Sequence, residues 1–259
     1  MTWIAVSALS TGVIAHLFRA GDLSSFARTH AIPVVIALLF ALTVWKLRAA
    51  TLAGVFCGAL VCFSLLNLPG RTGYAALSAL VSLFVVTFAA TRYGRLQKEH
   101  QGTAESRRGR AASQIIANLG CAALFALAGF YPGCLAALAE AAADTTASEM
   151  GQAIAGPVRL ITSWRSVPAG TDGGISLIGT LLGNVGASII VAIASLIHPL
   201  TTLQAVAICL SACGGLLFDS VLGATAERRG WIGNDLVNAV STLFAAVLAQ
   251  IAVSSLGGR

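Results

Sequence analysis

The hexapeptide Asp144-Thr145-Thr146-Ala147-Ser148-Glu149 sets two carboxylates and three hydroxyls at the end of a long apolar stretch. On a helix Asp144 and Ser148 share one face at i, i+4, and Thr145 and Glu149 share the next. Adjacent faces of hard oxygen suit Mg²⁺, which takes one or two carboxylates together with water and phosphate oxygens. Glu140, one turn earlier, is a further inward candidate. Asp219 lies about seven residues, or roughly 10 Å, inside its own apolar stretch. Gly214, Gly215 and Gly223 leave room there for another helix or a ligand. Arg110, Gln114, Asn118 and Cys121 form one helical stripe, and the Arg110 guanidinium can grip a phosphate through two hydrogen bonds. Asn234, Asn238 and Ser241 form another, from which Asp235 is turned by about 100°. The glycine-rich run Gly170-Thr171-Asp172-Gly173-Gly174-Ile175-Ser176 permits close backbone approach and offers amides to an anion, although as a bare pattern it reads more readily as a plain turn. Asp172 within it can position a substrate.

These polar groups need a scaffold that hides them, because the chain is otherwise membrane-like. Hydrophobic residues make up 57%, charged residues 10%, and the mean hydropathy is +0.85; a soluble domain carries about 25% charged residues. An acidic side chain at a bilayer centre costs roughly 2.5–3.5 kcal/mol, so such groups turn toward protein, water or an ion. Candidate spans of near-membrane length fall at 2–18, 31–46, 50–68, 73–92, 112–130, 133–149, 172–197, 202–226 and 235–256. The expected fold is therefore all-α, a polytopic integral membrane protein of eight to nine transmembrane helices. The apolar amino terminus has no basic residue before it and reads as a retained helix rather than a signal peptide.

With the amino terminus inside, most of the 16 Lys and Arg fall on the cytoplasmic side, among them Lys46, Arg48, Arg92, Arg95, Lys98, Arg107, Arg108, Arg110, Arg159, Arg165, Arg228 and Arg229. The positive-inside rule then places every candidate site residue at the cytoplasmic end and the site in a cytoplasmic cleft. The net charge of +6 is thus a topology and lipid-surface signal, with no nucleic-acid partner expected. Six cysteines in or beside apolar stretches, without a Cys-x-x-Cys pair, read as small buried hydrophobes, and with four scattered histidines they argue against a disulfide or zinc framework. The whole chain, 1–259, reads as one transmembrane domain. Residues 30–92 hold no acidic residue while eight of ten lie between Glu105 and Asp235. This divides it into scaffold and lipid-contacting helices (1–92), a basic cytoplasmic loop (93–111) draped on the anionic leaflet, and catalytic helices (112–259). Trp164 reads as an interfacial anchor. Gly179, Gly183 and Gly186 read as close helix packing.

Five blocks in order carry a resemblance: Arg110-x-x-x-Gln114; Asp144-Thr145-x-x-Ser148-Glu149-x-Gly151; Gly170-Thr171-x-Gly173-Gly174-x-Ser176-x-x-Gly179; Asp219-x-x-x-Gly223-Ala224; and Asn234-x-x-x-Asn238-x-x-Ser241. Over roughly 105–245 the chain resembles the integral membrane family that includes the plant chloroplast phytyl-phosphate kinase and vertebrate transmembrane protein 19. The resemblance implies a membrane kinase that converts an isoprenoid monophosphate such as phytyl or geranylgeranyl phosphate to the diphosphate. CTP or another nucleoside triphosphate would be the donor, with Mg²⁺. Asp144, Glu149 and Asp219 would hold the metal. Arg110, Gln114, Asn118, Ser148, Asn234 and Asn238 would bind nucleotide or phosphate, with Gly170, Thr171, Gly173, Gly174 and Ser176 of the loop; Asp172 would position the acceptor. The Glu227-Arg228-Arg229 turn departs from the family pattern, which bears on nucleotide preference. Residues 1–92 are left to select the isoprenoid tail.

Two other classes use similar groups. An ion-coupled transporter relays protons through intramembrane carboxylates, usually near the midplane between inverted repeats, and no repeat is visible. A lipid-phosphate nucleotidyltransferase needs the same metal and phosphate groups but releases pyrophosphate. No Walker A sequence or dinucleotide fingerprint exists. Alanine and arginine richness favours a bacterial inner membrane; the oligomeric state is not encoded in any motif.

Overall fold

The structure is a computed structural model and describes residues 23–104, 109–154 and 156–257. The expected first span, 2–18, lies outside these residues, as do Arg107 and Arg108. Helices α1 (Leu23–Lys46), α2 (Leu52–Leu66), α3 (Arg71–Arg92), short α4 (Arg95–Gln101), α5 (Ala112–Leu127) and α6 (Tyr131–Ala153) precede a small hairpin of β1 (Arg159–Leu160) and β2 (Gly174–Ile175). After it come α7 (Leu177–Ile197), α8 (Thr202–Leu222) and α9 (Asn234–Gly257). The protein is thus all-helical apart from that hairpin among the described residues.

Local chemistry fixes the helix starts. The Thr51 and Ser176 hydroxyls accept the Gly54 and Gly179 amides, and Thr201 forms a reciprocal capping box with Gln204. Each cap satisfies an amide that the helix itself cannot. Four helices are long and apolar enough to cross a membrane: α3, α7, α8 with its extension to Glu227, and α9. Residues 30–46 of α1, α2 and α5 are apolar but shorter. Large apolar residues on α1, including Ile32, Leu38, Leu39 and Trp45, are exposed, as lipid-facing residues would be.

Helix α6 is the centre of the molecule. It packs on α3, α5, α7, α8 and α9, and Leu135, Leu138 and the alanines between them are completely buried. Small residues let the neighbours approach: Cβ atoms built on Gly179 and Gly183 of α7 would stand 2.7 Å from the α6 carbonyls of Ala147 and Ala143. Enclosure by protein explains how α6 tolerates the acids of its last turns, since its surroundings are other helices instead of lipid.

Two segments differ from the sequence reading. The helix expected from 172 starts at Leu177, because Gly173 has φ +71° and Ser176 is extended as the cap; Gly174–Ile175 pairs with Arg159–Leu160 instead. The loop expected to drape on the leaflet contains α4, bounded by the left-handed glycines Gly94 and Gly102. That helix folds onto α6 and buries Lys98 completely.

Candidate active site

A cavity of about 330 Å³ opens at the end of the bundle where α5, α7 and α9 begin and α6 and α8 finish. Its wall includes Arg110, Gln114 and Asn118 from the α5 segment; Asp144, Ser148 and Glu149 from α6; and Asp219 from α8. Asn234 and Asn238 come from α9, and the loop contributes Gly170, Thr171, Asp172, Gly173, Gly174 and Ser176. Every residue singled out for phosphate, nucleotide or metal therefore borders one space. Asn118 of α5 and Asn238 of α9, 120 residues apart, border the same space because those helices pack together, with Cys121 Sγ donating to Ala239 O at 3.4 Å.

Arg110 is held by its backbone before its side chain acts. Its amide donates to Ala49 O at 2.9 Å, and its carbonyl accepts the Thr51 amide at 3.0 Å. Gly109 makes this approach possible: φ is +77°, and an added Cβ would sit 2.6 Å from the backbone of Ala49 and Ala50. The guanidinium donates to Thr145 Oγ1 at 3.4 Å and lies within electrostatic reach of Asp144. Two neighbours are partly committed to α5 itself. Gln114 Oε1 accepts the Ala111 amide at 2.8 Å, and Asn118 Nδ2 donates to Gln114 O at 2.9 Å.

Glu149, expected in the metal set, borders the cavity but is also ion-paired. Its Oε2 accepts from Lys98 Nζ at 2.6 Å, and the ammonium also donates to Ala90 O and Thr91 O. Both side chains are shielded from solvent, so a charge left alone there would be costly and the pair holds α4 on α6. The two carboxylates remaining from that set, Asp144 and Asp219, are electrostatic neighbours. Asp219 Oδ2 accepts from the buried Ser241 hydroxyl at 3.2 Å. Gly215 lets Glu140 approach this pair, since an added Cβ would lie 2.6 Å from Glu140 Cγ.

The loop does less with its amides than its glycines promise. The Thr171 and Gly174 amides are spent on Pro168 O and Thr171 O within the turn. What the glycines provide is contact: a Cβ on Gly173 would stand 2.3 Å from the Ala224 nitrogen, and one on Gly223 would stand 2.8 Å from the Gly173 nitrogen. The segment that receives the loop, Gly223–Glu227, is a π-helical turn extending α8, a wide helical form that recurs at functional sites.

Sequence reasoning tied the Glu227 turn to nucleotide preference without placing Glu227 in the site, and it missed the role of Lys98. Glu227 borders the cavity and is an electrostatic neighbour of Asp172 and Asp144. Its place eight residues after Asp219 was a usable signal, as positions i and i+8 fall within one broad helical stripe. Lys98 had only the flanking Gly94 and Gly102 to mark a short capped helix. Five carboxylates border the cavity, from Asp144, Glu149, Asp172, Asp219 and Glu227, against one basic residue, Arg110, among the described residues. Lys98 offsets Glu149 from behind. An anionic ligand would face the other four acids, so a polyphosphate fits only in company with a cation.

Among the described residues no three His, Cys, Asp or Glu side chains are grouped to hold an ion by themselves. The donor set nevertheless fits Mg²⁺, which binds through one or two carboxylates and completes its shell with water and phosphate oxygens rather than in an all-protein cage. Asp144 and Asp219 would supply that pair.

Fold and site together define an all-helical integral membrane protein with an acid-rich cavity enclosed at one end of its bundle. The chain belongs to the family described as integral membrane protein DUF92, which matches residues 35–246 and so extends well before the motif blocks. It is 29% identical over 193 residues to Protein VTE6, chloroplastic, from Arabidopsis thaliana, covering 68% of this chain and 58% of that protein. The uncharacterized membrane protein MJ0933 of Methanocaldococcus jannaschii is 29% identical over 228 residues, covering 85% of this chain and 92% of that one. The uncharacterized membrane protein sll0875 of Synechocystis is 33% identical over 192 residues, covering 68% and 73%. No solved structure matches the chain. The family is the one to which the motif blocks pointed.

Proposed function

We propose that this protein is a membrane kinase for isoprenoid monophosphates, using a nucleoside triphosphate, CTP first among them, as donor. The observation that supports it most is the meeting of Arg110 with Asp144, Asp219, Asp172 and Glu227 around one polar cavity. Such a site repels a bare polyphosphate and accepts a cation-bound one. The family match and the plant relative point the same way.

In this reading Asp144 and Asp219 would hold Mg²⁺, which would supply charge screening for the donor phosphates. Ser241 orients Asp219 through its hydrogen bond. Arg110 grips phosphate oxygens with the planar fork of a guanidinium. Asn234 and Asn238 orient the nucleotide, and the 170–174 loop closes the cavity's edge. An oxygen of the acceptor phosphomonoester attacks the donor γ-phosphorus, the bond to the β–γ bridging oxygen breaks, and the nucleoside diphosphate leaves with that electron pair. A phosphomonoester carries between one and two negative charges near pH 7, with a second pKa of about 6, so no general base is required. Positioning and electrostatics supply the catalysis, as is usual for phosphoryl transfer.

The same reading sets the membrane placement: α1–α3 and α5–α9 each cross or enter the bilayer, with the cavity facing the cytoplasm under the positive-inside rule. Purified protein in detergent, given Mg²⁺, CTP and geranylgeranyl monophosphate, is expected to form the lipid diphosphate and CDP in equal amounts. Folded protein that makes no product with any nucleoside triphosphate, yet moves a solute across proteoliposomes, would replace this reading with transport.

A further inference from the structure

A second and larger chamber, of about 870 Å³, lies between α1, α2, α3 and α5. Its interior is apolar, with Phe40, Leu80, Leu83, Phe84 and Leu119 among the walls. Lining residues on α3 run from Leu80 to Arg92, a depth of about 18 Å at 1.5 Å per residue, more than half of a hydrocarbon core of about 30 Å. The mouth is cationic: Lys46, Arg48, Arg92 and Arg110 border it, and no Asp or Glu is among the described lining residues.

Two features hold those cations at the mouth. Arg92 rests its guanidinium 4.0 Å from the Phe88 ring centroid and donates to Leu47 O at 3.4 Å. Arg48 occupies the left-handed position after α1, φ +52°, where its amide bonds Trp45 O and the next amide bonds Val44 O. That position ordinarily takes glycine, and an arginine there puts charge beside the chamber at the expense of backbone ease. Arg110 and Asn118 border both this chamber and the acid-rich cavity, so the two spaces share a wall.

We propose that this chamber binds a prenyl monophosphate, the apolar chain between α1, α2 and α3 and the phosphate at Arg48, Arg92 and Arg110. Its role as the acceptor rests on the kinase reading above. The shared Arg110 then brings the acceptor phosphate to the edge of the donor cavity without either ligand crossing the bundle. An apolar slot with a purely basic mouth complements one molecule of that chemistry: a long hydrocarbon ending in a compact anion.

Gly58 gives a clean test. It lines the chamber, and an added Cβ would meet only Phe40 Cε1, at 3.9 Å. Leucine there occupies chamber space while raising helix propensity, so Gly58→Leu should fold. Arg48→Gly removes a cation and relaxes the backbone. Tritiated geranylgeranyl monophosphate binding to the full chain in detergent, without nucleotide, is measured beside turnover with CTP. Gly58→Leu is expected to raise the lipid Kd and KM by about tenfold with the CTP KM unchanged. Arg48→Gly should weaken lipid binding about fivefold or more without loss of folded protein. Normal turnover with an unaltered lipid KM in Gly58→Leu overturns the chamber assignment and leaves the kinase reading intact. Lipid binding that Gly58→Leu abolishes, in a protein that turns over no nucleotide, supports the chamber and removes the kinase reading. Phosphatidylglycerol displacing the probe as well as unlabelled geranylgeranyl monophosphate does would make the chamber a bulk-lipid site and overturn the proposal.

Discussion

Single side chains divide into those that meet ligand and those that hold the cavity together. Asp144 and Asp219 are assigned to the metal-bound donor, and Asp144→Asn or Asp219→Asn should lower turnover by at least about a hundredfold while the protein still purifies as a folded species. Wild-type turnover in either variant would remove that residue from the site. Glu149 is assigned differently, because its Oε2 is bonded to Lys98. Lys98→Met leaves a buried carboxylate without its partner and should destabilise by about 3–5 kcal/mol, whereas Lys98→Met with Glu149→Gln should recover much of the loss. Thermal unfolding of the two singles and the double measures this. Additive losses would mean that the pair is not what holds α4 to α6, and a shift in the Mg²⁺ requirement of Glu149→Gln would return Glu149 to the metal.

Elements decide whether those residues meet. Among the described residues Gly109 and Gly173 are where the fold requires glycine most plainly, since each combines positive φ with another segment's backbone closer than a Cβ permits. Gly109→Ala should displace the Arg110 segment from Ala49–Thr51, and Gly173→Ala should lift the 170–174 loop from the π turn at Ala224. Left-handed strain alone costs alanine roughly 1–2 kcal/mol, and the contacts add to it. Both variants are expected to lose activity more than stability, which a comparison of kcat/KM with unfolding temperature would show; unchanged kcat/KM would mean that neither approach positions the site.

What was legible in the sequence followed the same division. Helical stripes such as Arg110, Gln114 and Asn118, or Asn234 and Asn238, were readable because a 3.6-residue period puts them on one face regardless of what lies opposite. The start of α7 was not, because Gly174–Ile175 takes its structure from pairing with Arg159–Leu160, which no local pattern encodes. The burial of Lys98 was hidden for a related reason: a lysine in a polar segment reads as solvated until a distant carboxylate, here Glu149, is known to face it. Likewise α6 read as a span by length, while its enclosure by five helices explains why it carries the acids.

At the scale of the bundle, the described helices enclose an acid-rich polar chamber and an apolar one with a basic mouth, joined by the wall at Arg110 and Asn118. A reaction between a hydrophilic donor and a lipid acceptor needs such a division, because each substrate comes from a different solvent. Replacing Arg110 by Lys keeps the charge but loses the bidentate fork, so it should impair use of both substrates, unlike Gly58→Leu, which should impair the lipid alone. Steady-state kinetics with each substrate varied in turn would reveal a defect confined to one substrate, and that result would separate Arg110 from the shared wall.

The most direct measurement follows the phosphorus. Purified protein would be incubated with Mg²⁺, geranylgeranyl monophosphate and CTP labelled with ³²P at either the α or the γ position. A kinase transfers label to the lipid from γ-labelled CTP alone, with CDP as the other product, and that is the expected result. Label reaching the lipid from α-labelled CTP, with release of pyrophosphate, would contradict it and make the protein a nucleotidyltransferase.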